Sequence, residues 1–277
     1  MYDLGLVSIS FRNHSPEEIL CAMKKAGLSV IEWGSDVHAK PQDEDQLGKI
    51  VALQKKYGIS CCSYGSYFRL GVTPLEELED YIKAAKLLGT DIIRIWSSDK
   101  GSAEFTESES KALFEEGRRA ARIARKHGVT LCMECHNGTY TDTLPSALRL
   151  MREVGSEHFK MYWQPNQFRT KEQNEQYAAA IAQYVEIVHV FNWEGKEQYP
   201  LSQGVELWRQ YLAKLKIHKP LLLEFMPDDR IETLSAEADA LRRIATEENC
   251  LLQRKGERDE SDICNRPKEQ HQLCLSC

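Results

Sequence analysis

An α/β chain closing into a (β/α)8 barrel is the fold that this sequence predicts, and three observations predict it. The first is a recurrence: "KKAGLSVIEW", "KKYGISCCSY", "KLLGTDIIRIW", "RKHGVTLCMEC" and "REVGSEHFKMYW" each carry a glycine between a helix-like end and an apolar or β-branched run. These are Gly27, Gly58, Gly89, Gly128 and Gly155. A glycine just past a helix takes the left-handed conformation at little steric cost and ends the helix there. The second is a count of eight strand-then-helix units, with strands near residues 3–9, 29–33, 59–64, 91–96, 129–134, 159–164, 186–192 and 220–225. The third is that these strands are apolar on both faces, as in a parallel sheet covered by helices. Eight alternations in about 250 residues favour a closed barrel over an open doubly wound sheet. No G-x-G-x-x-G follows the first strand, which argues further against a dinucleotide-binding sheet.

The intervals between strands read as helices. "HSPEEILCAMKKAG" offers Ser15 as an N-cap, Pro16 in the first turn and two early glutamates. "TPLEELEDYIKAAKLLG" repeats that grammar from Thr73 and Pro74, and "KALFEEGRRAARIARKHG" is amphipathic. "KEQNEQYAAAIAQYV", "GVELWRQYLAKLKIH" and "TLSAEADALRRIATEEN" complete the series. One barrel domain is expected over residues 1–252. Residues 253–277 are charged, poor in apolar residues and without helical period, which predicts a flexible tail whose removal leaves folding and activity intact.

Composition narrows the function. The 277 residues are 42% hydrophobic and 28% charged, as in a soluble globular protein. A net charge of −6 repels phosphate backbones, so no nucleic-acid partner is expected. Apolar runs such as that around Leu221–Leu223 fall far short of the ~20 residues of a membrane-spanning helix. The start "MYDLGLVSISF" has neither basic n-region nor sustained apolar h-region, so no signal peptide is expected. Nine cysteines without framework spacing fit reduced thiols in a cytoplasm. A homo-oligomer is compatible with all of this.

Chemistry in such barrels lies at the carboxyl ends of the strands. Four consecutive strands there carry Glu134, Gln164, His189 and Glu224. Singly, each is a polar strand end bonded to backbone or water; together they are oxygen and nitrogen donors suited to a divalent cation. Two ionised glutamates held close would repel, and a bound cation removes that conflict.

In "GLSVIEWG", "GTDIIRIW", "LCMECHNGTYTDT", "VHVFNW" and "LLLEF" the chain resembles the xylose-isomerase-like barrels of sugar phosphate isomerases and epimerases, over residues 1 to about 250. The resemblance implies a small sugar substrate and a Mn, Mg, Zn or Co ion held by Glu, Asp, His and Glu. The two glutamates of that set also exchange protons with the sugar. Glu134, His189 and Glu224 match the pattern; Gln164 stands where relatives carry aspartate, and its carbonyl coordinates without charge. The chemistry so implied is a proton shift beside a carbonyl through an enediolate, with Glu134 and Glu224 catalytic and their order open. The alternatives are a dehydratase or lyase acting on a polyol or keto-acid, and a sugar-binding homologue without catalysis. A phosphodiester-cleaving relative would need more rim histidines than this acidic chain offers.

Around that centre, Trp33, Tyr64, Arg94, Trp96, His136, Asn137, Gln167 and Asn192 are candidates for substrate contact. Each has a second reading. The tryptophans can plug the barrel as core. Arg94 can be neutralised by Glu32 or Glu134, and His136 can be a solvated loop residue. Arg69 is read in the loop after strand three, as a weak anion contact. Cys132 and Cys135 resemble a redox pair but face opposite sides of a strand. In the tail, Cys264, His271, Cys274 and Cys277 read either as a zinc knuckle or as adventitious thiols.

Overall fold

The computed structural model describes residues 2–246. The tail expected over 253–277, with its Cys264, His271, Cys274 and Cys277, lies outside the described residues. Eight parallel strands close a barrel: β1 (Leu4–Val7), β2 (Val30–Gly34), β3 (Ser60–Leu70), β4 (Ile92–Ser97), β5 (Thr130–Met133), β6 (Phe159–Trp163), β7 (Val185–Val190) and β10 (Leu221–Leu223). Closure is through β1 and β10, with Leu4 facing Leu221 and Leu6 facing Leu223. A two-stranded hairpin, β8 (Trp193–Glu194) and β9 (Glu197–Gln198), rises from the end of β7. The outer ring is α1 (Pro16–Lys25), α2 (Glu44–Tyr57), α3 (Leu78–Leu88), α4 (Glu107–His127), α5 (Leu144–Val154), α6 (Lys171–Ile181), α7 (Val205–Leu215) and the helical residues 234–246.

The local signals act as the sequence indicates. The Ser15 side chain accepts from the Glu18 amide while Glu18 reaches back to the Ser15 amide, a capping box that sets the start of α1. Thr106 with Glu109 and Thr170 with Gln173 do the same for α4 and α6. All five repeat glycines are left-handed. The structure departs from expectation after β3. That strand runs on to Leu70, and α3 begins only at Leu78, behind a 3-10 turn at Leu75–Glu77. Thr73 does not cap a helix, because its hydroxyl accepts from the Arg69 amide at 3.0 Å.

Strand side chains alternate between the barrel interior and the helix layer, with a period of two. Val7, Val30, Cys132, Tyr162, Ile187 and Leu222 pack together as one small interior cluster. Two residues further along their strands stand Glu32, Glu134, Gln164, His189 and Glu224, so a dry apolar plug lies beneath a polar layer. The neighbours of these residues face outward. Trp163 packs edge-on against Trp208 and Tyr211 of α7, with ring centroids 5.7 and 5.3 Å away. Among the described residues, no helix is long and apolar enough to cross a membrane.

Candidate active site

Glu134, His189 and Glu224 converge: each offers one ligand atom, and these atoms lie within 4.8 Å of one another. His189 Nδ1 is 3.3 Å from a Glu224 oxygen, 4.0 Å from Glu134 Oε1 and 3.1 Å from Gln164 Oε1. Gln164 thus stands beside the trio, its amide nitrogen donating to the Cys135 carbonyl at 3.3 Å. The opposite ring nitrogen, Nε2, faces Glu32 at 3.5 Å. Glu32 is completely buried and accepts from Ser63 and Tyr162 hydroxyls, both at 2.8 Å. It therefore orients the imidazole from below, as a carboxylate behind a metal-ligating histidine does.

Arg94 ties the layer together. Its guanidinium donates to Glu134 Oε2 at 2.7 Å and lies 3.4 Å from Glu32 Oε1. The Trp96 indole N–H also donates to Glu134 Oε2, which leaves Oε1 as the oxygen nearer His189. Burial alone would raise the Glu32 carboxyl, but the attraction of Arg94 and His189 overrides it and holds it at about 2. Glu134 is lowered in the same way, burial opposing and Arg94 and His189 prevailing. Burial would lower His189, but Glu224 and Glu32 push it up to about 10.

These residues fit a divalent cation. Three carboxylates, Glu32, Glu134 and Glu224, against one guanidinium leave two negative charges when His189 is neutral. The raised histidine is the sign of that excess: a proton is drawn to the place where a cation would sit. Glu134, His189 and Glu224 would hold the ion, with the Gln164 carbonyl beside them.

Above the trio opens a cleft of about 280 Å³, lined in part by Arg94, Trp96, His136, Asn137 and Gln167. His136 follows the end of β5 and stacks on Trp96, with ring centroids 5.2 Å apart. Three assignments need correction. Trp33 and Tyr64 do not reach the cleft: Trp33 donates to Gln54 of α2 at 2.8 Å, and Tyr64 donates to the Ala39 carbonyl at 2.6 Å. The reason is strand alternation, since Glu32 and Ser63 point inward and their successors must point out. Asn192 is also displaced; it donates to the Pro200 carbonyl at 3.0 Å and lines a neighbouring cleft of about 540 Å³. Arg69 belongs to β3, donates to the Ser98 carbonyl at 2.9 Å and covers the Trp96 ring. Arg94 follows its second reading, paired with both Glu32 and Glu134. Tyr162, Arg12 and Tyr67 were not among the candidates, yet Tyr162 braces Glu32 and the other two line the cleft.

A closed barrel with its acids gathered at one rim is how metal-assisted barrel enzymes are built. Residues 20–244 match the family model for the xylose isomerase-like TIM barrel, and the chain belongs to that family. Over 168 residues it is 32% identical to a 3-dehydroshikimate dehydratase from Bacillus anthracis, a match covering 57% of this chain and 59% of that protein. The aligned region is therefore less than two thirds of that relative's length. The crystal structure of a probable 3-DHS dehydratase, AsbF, from Bacillus anthracis superposes with a TM-score of 0.74 at 20% identity, over 87% of this chain and 99% of that one. A D-psicose 3-epimerase from Clostridium cellulolyticum H10, solved with D-tagatose, superposes with a TM-score of 0.64 at 13% identity, over 88% and 98%.

Proposed function

We propose that this chain is a metal-assisted dehydratase of a hydroxylated keto-acid of the 3-dehydroshikimate kind. The observation that carries this over isomerisation is the 32% identity to a dehydratase of that substrate. The cleft is consistent with it. Tyr67, Trp96 and His136 come from the β3, β4 and β5 ends, while Phe191, Trp193 and Phe225 come from the β7 and β10 ends across the mouth. Aromatic side chains on two sides suit a flat ring.

Glu134, His189 and Glu224 would hold a divalent ion, which when bound would polarise the substrate carbonyl and stabilise negative charge developing there. The residues of the chain do the rest. Arg94 and Trp96 hold Glu134 Oε2, so that carboxylate keeps one orientation. His136 is exposed to the cleft, and its Nδ1 lies 2.7 Å from the Asn137 carbonyl. In the tautomer that donates there, Nε2 is left as an acceptor for the C–H proton beside the carbonyl. The imidazolium so formed would hand that proton to the departing hydroxyl, so that water leaves, and a proton shift within the resulting dienone aromatises the ring. A second reading remains open to the same acids. Returning the proton to the opposite face, with Glu134 and Glu224 as the exchanging pair, would give epimerisation of a small sugar.

Product analysis separates the two. Metal-supplemented protein incubated with 3-dehydroshikimate should give a product lighter by one water. Retained mass with deuterium taken up from solvent, or turnover confined to ketoses, would favour the epimerase. His136→Asn should lower kcat by about 10²–10⁴-fold, the usual contribution of general acid–base catalysis.

A further inference from the structure

Arg12 stands in the connection after β1 and lines the cleft, yet nothing in the proposed chemistry uses it. The barrel order places β1 directly across the ring from β5, whose end carries Glu134 and His136. Arg12 therefore faces the reacting end of the cleft from the far side. Its guanidinium is fixed by two partners: Nη1 donates to Asp36, and Nη2 donates to the Tyr67 hydroxyl at 2.8 Å. Those two bonds use two of its five N–H donors. The side chain remains 41% exposed. Among the described residues lining the cleft there is no lysine, and the other guanidinium, Arg94, is buried and engaged by Glu32 and Glu134. From Tyr67 an aromatic wall runs to the reacting end: Tyr67 meets Trp96 edge-on at 5.3 Å, and Trp96 stacks on His136 at 5.2 Å.

We infer that Arg12 is the residue that receives the carboxylate of the substrate. Held open by Asp36 and Tyr67, its planar fork matches a carboxylate and sets the molecule with its acid group toward β1 and its keto end over Glu134, His189 and Glu224. The inference rests on the reading of this cleft as the substrate site and not on which reaction follows. Asp36 is a positioning residue here, since it touches the guanidinium and keeps it aimed.

Binding of shikimate and of its methyl ester to the full chain in the presence of Mn2+, measured by titration calorimetry, tests this. Native protein should prefer the acid by about ten- to a hundredfold, the range of one charge-assisted hydrogen bond. Arg12→Gln should remove that preference while binding the ester as before, which also shows that the variant is folded; Arg12→Lys should keep part of it. Equal preference in Arg12→Gln and native protein overturns the inference, as does native protein that binds neither probe or binds both alike. Preference for ribulose 5-phosphate over ribulose, lost in Arg12→Gln, would reassign the anion to phosphate and overturn the carboxylate. If 3-dehydroshikimate loses no water while acid-selective binding persists, the dehydratase reading fails and this one stands.

Discussion

Glu32 shows how much of the site depends on a residue that touches no substrate. It bonds Ser63 and Tyr162, faces His189 Nε2 and shares Arg94 with Glu134. Glu32→Gln keeps the shape but removes the charge that orients the imidazole, so divalent-ion affinity should fall about 10–100-fold, read by metal titration of the folded variant. Unchanged affinity would mean that His189 is positioned by packing alone. The cysteines make a contrasting case: burial pushes the thiols of Cys61 and Cys135 up to about 12. Iodoacetamide at pH 8, mapped by mass spectrometry, should leave both unmodified in native protein and label both in urea. The polar strand ends Glu134, Gln164, His189 and Glu224 could be read from sequence because each follows an apolar residue two places earlier. Trp33 and Tyr64 were misplaced because adjacent strand residues cannot share a face. Nothing near Tyr162 in the sequence marks it for the site, since its partner Glu32 is 130 residues away and only barrel closure brings them together.

Among the elements, β3 does the most to shape the site. Its register shifts against β2 between Ile31 and Glu32, and against β4 between Gly65 and Arg69. Gly65 lies at this crossing because a Cβ there would come within 2.7 Å of Glu32 Oε1 and 3.0 Å of Arg94 Nη2. Gly65→Ala should cost about 1–3 kcal/mol by overpacking and displace the Glu32–Arg94 pair, lowering both the urea midpoint and turnover. The capping boxes are independent of the site. Ser15→Ala or Thr106→Ala should each cost about 1 kcal/mol in urea denaturation with kcat unchanged. Helix starts and glycine ends were legible in the sequence because capping is chemistry within four residues. The extension of β3 and the delayed start of α3 were not, since they follow from a β3–β4 shift and a Thr73 hydroxyl taken up by the backbone of Arg69.

Taken as one object, the molecule is a barrel with an apolar lower plug and a polar upper layer carrying excess negative charge. That charge suits the folded state to hold a divalent ion. Adding Mn2+ at a hundredfold excess over its Kd should stabilise the fold by about 2.7 kcal/mol, and EDTA should reverse the rise in melting temperature. Five glycines at helix ends and eight apolar runs made the barrel legible, because each repeat is punctuated locally. The walls of the cleft were less so, since Arg12 and Asp36 follow β1 and β2 while Tyr67 belongs to β3, and they meet only when these three neighbouring strands pair.

The claim beneath everything else is that Glu134, His189 and Glu224 share one ion. Calorimetric titration of chelator-treated protein with Mn2+ tests it most directly, with native chain beside Glu224→Ala and His189→Ala. One ion per chain, with affinity lowered at least tenfold in both variants, is the predicted result. Absence of stoichiometric binding, or equal affinity in all three proteins, would contradict it.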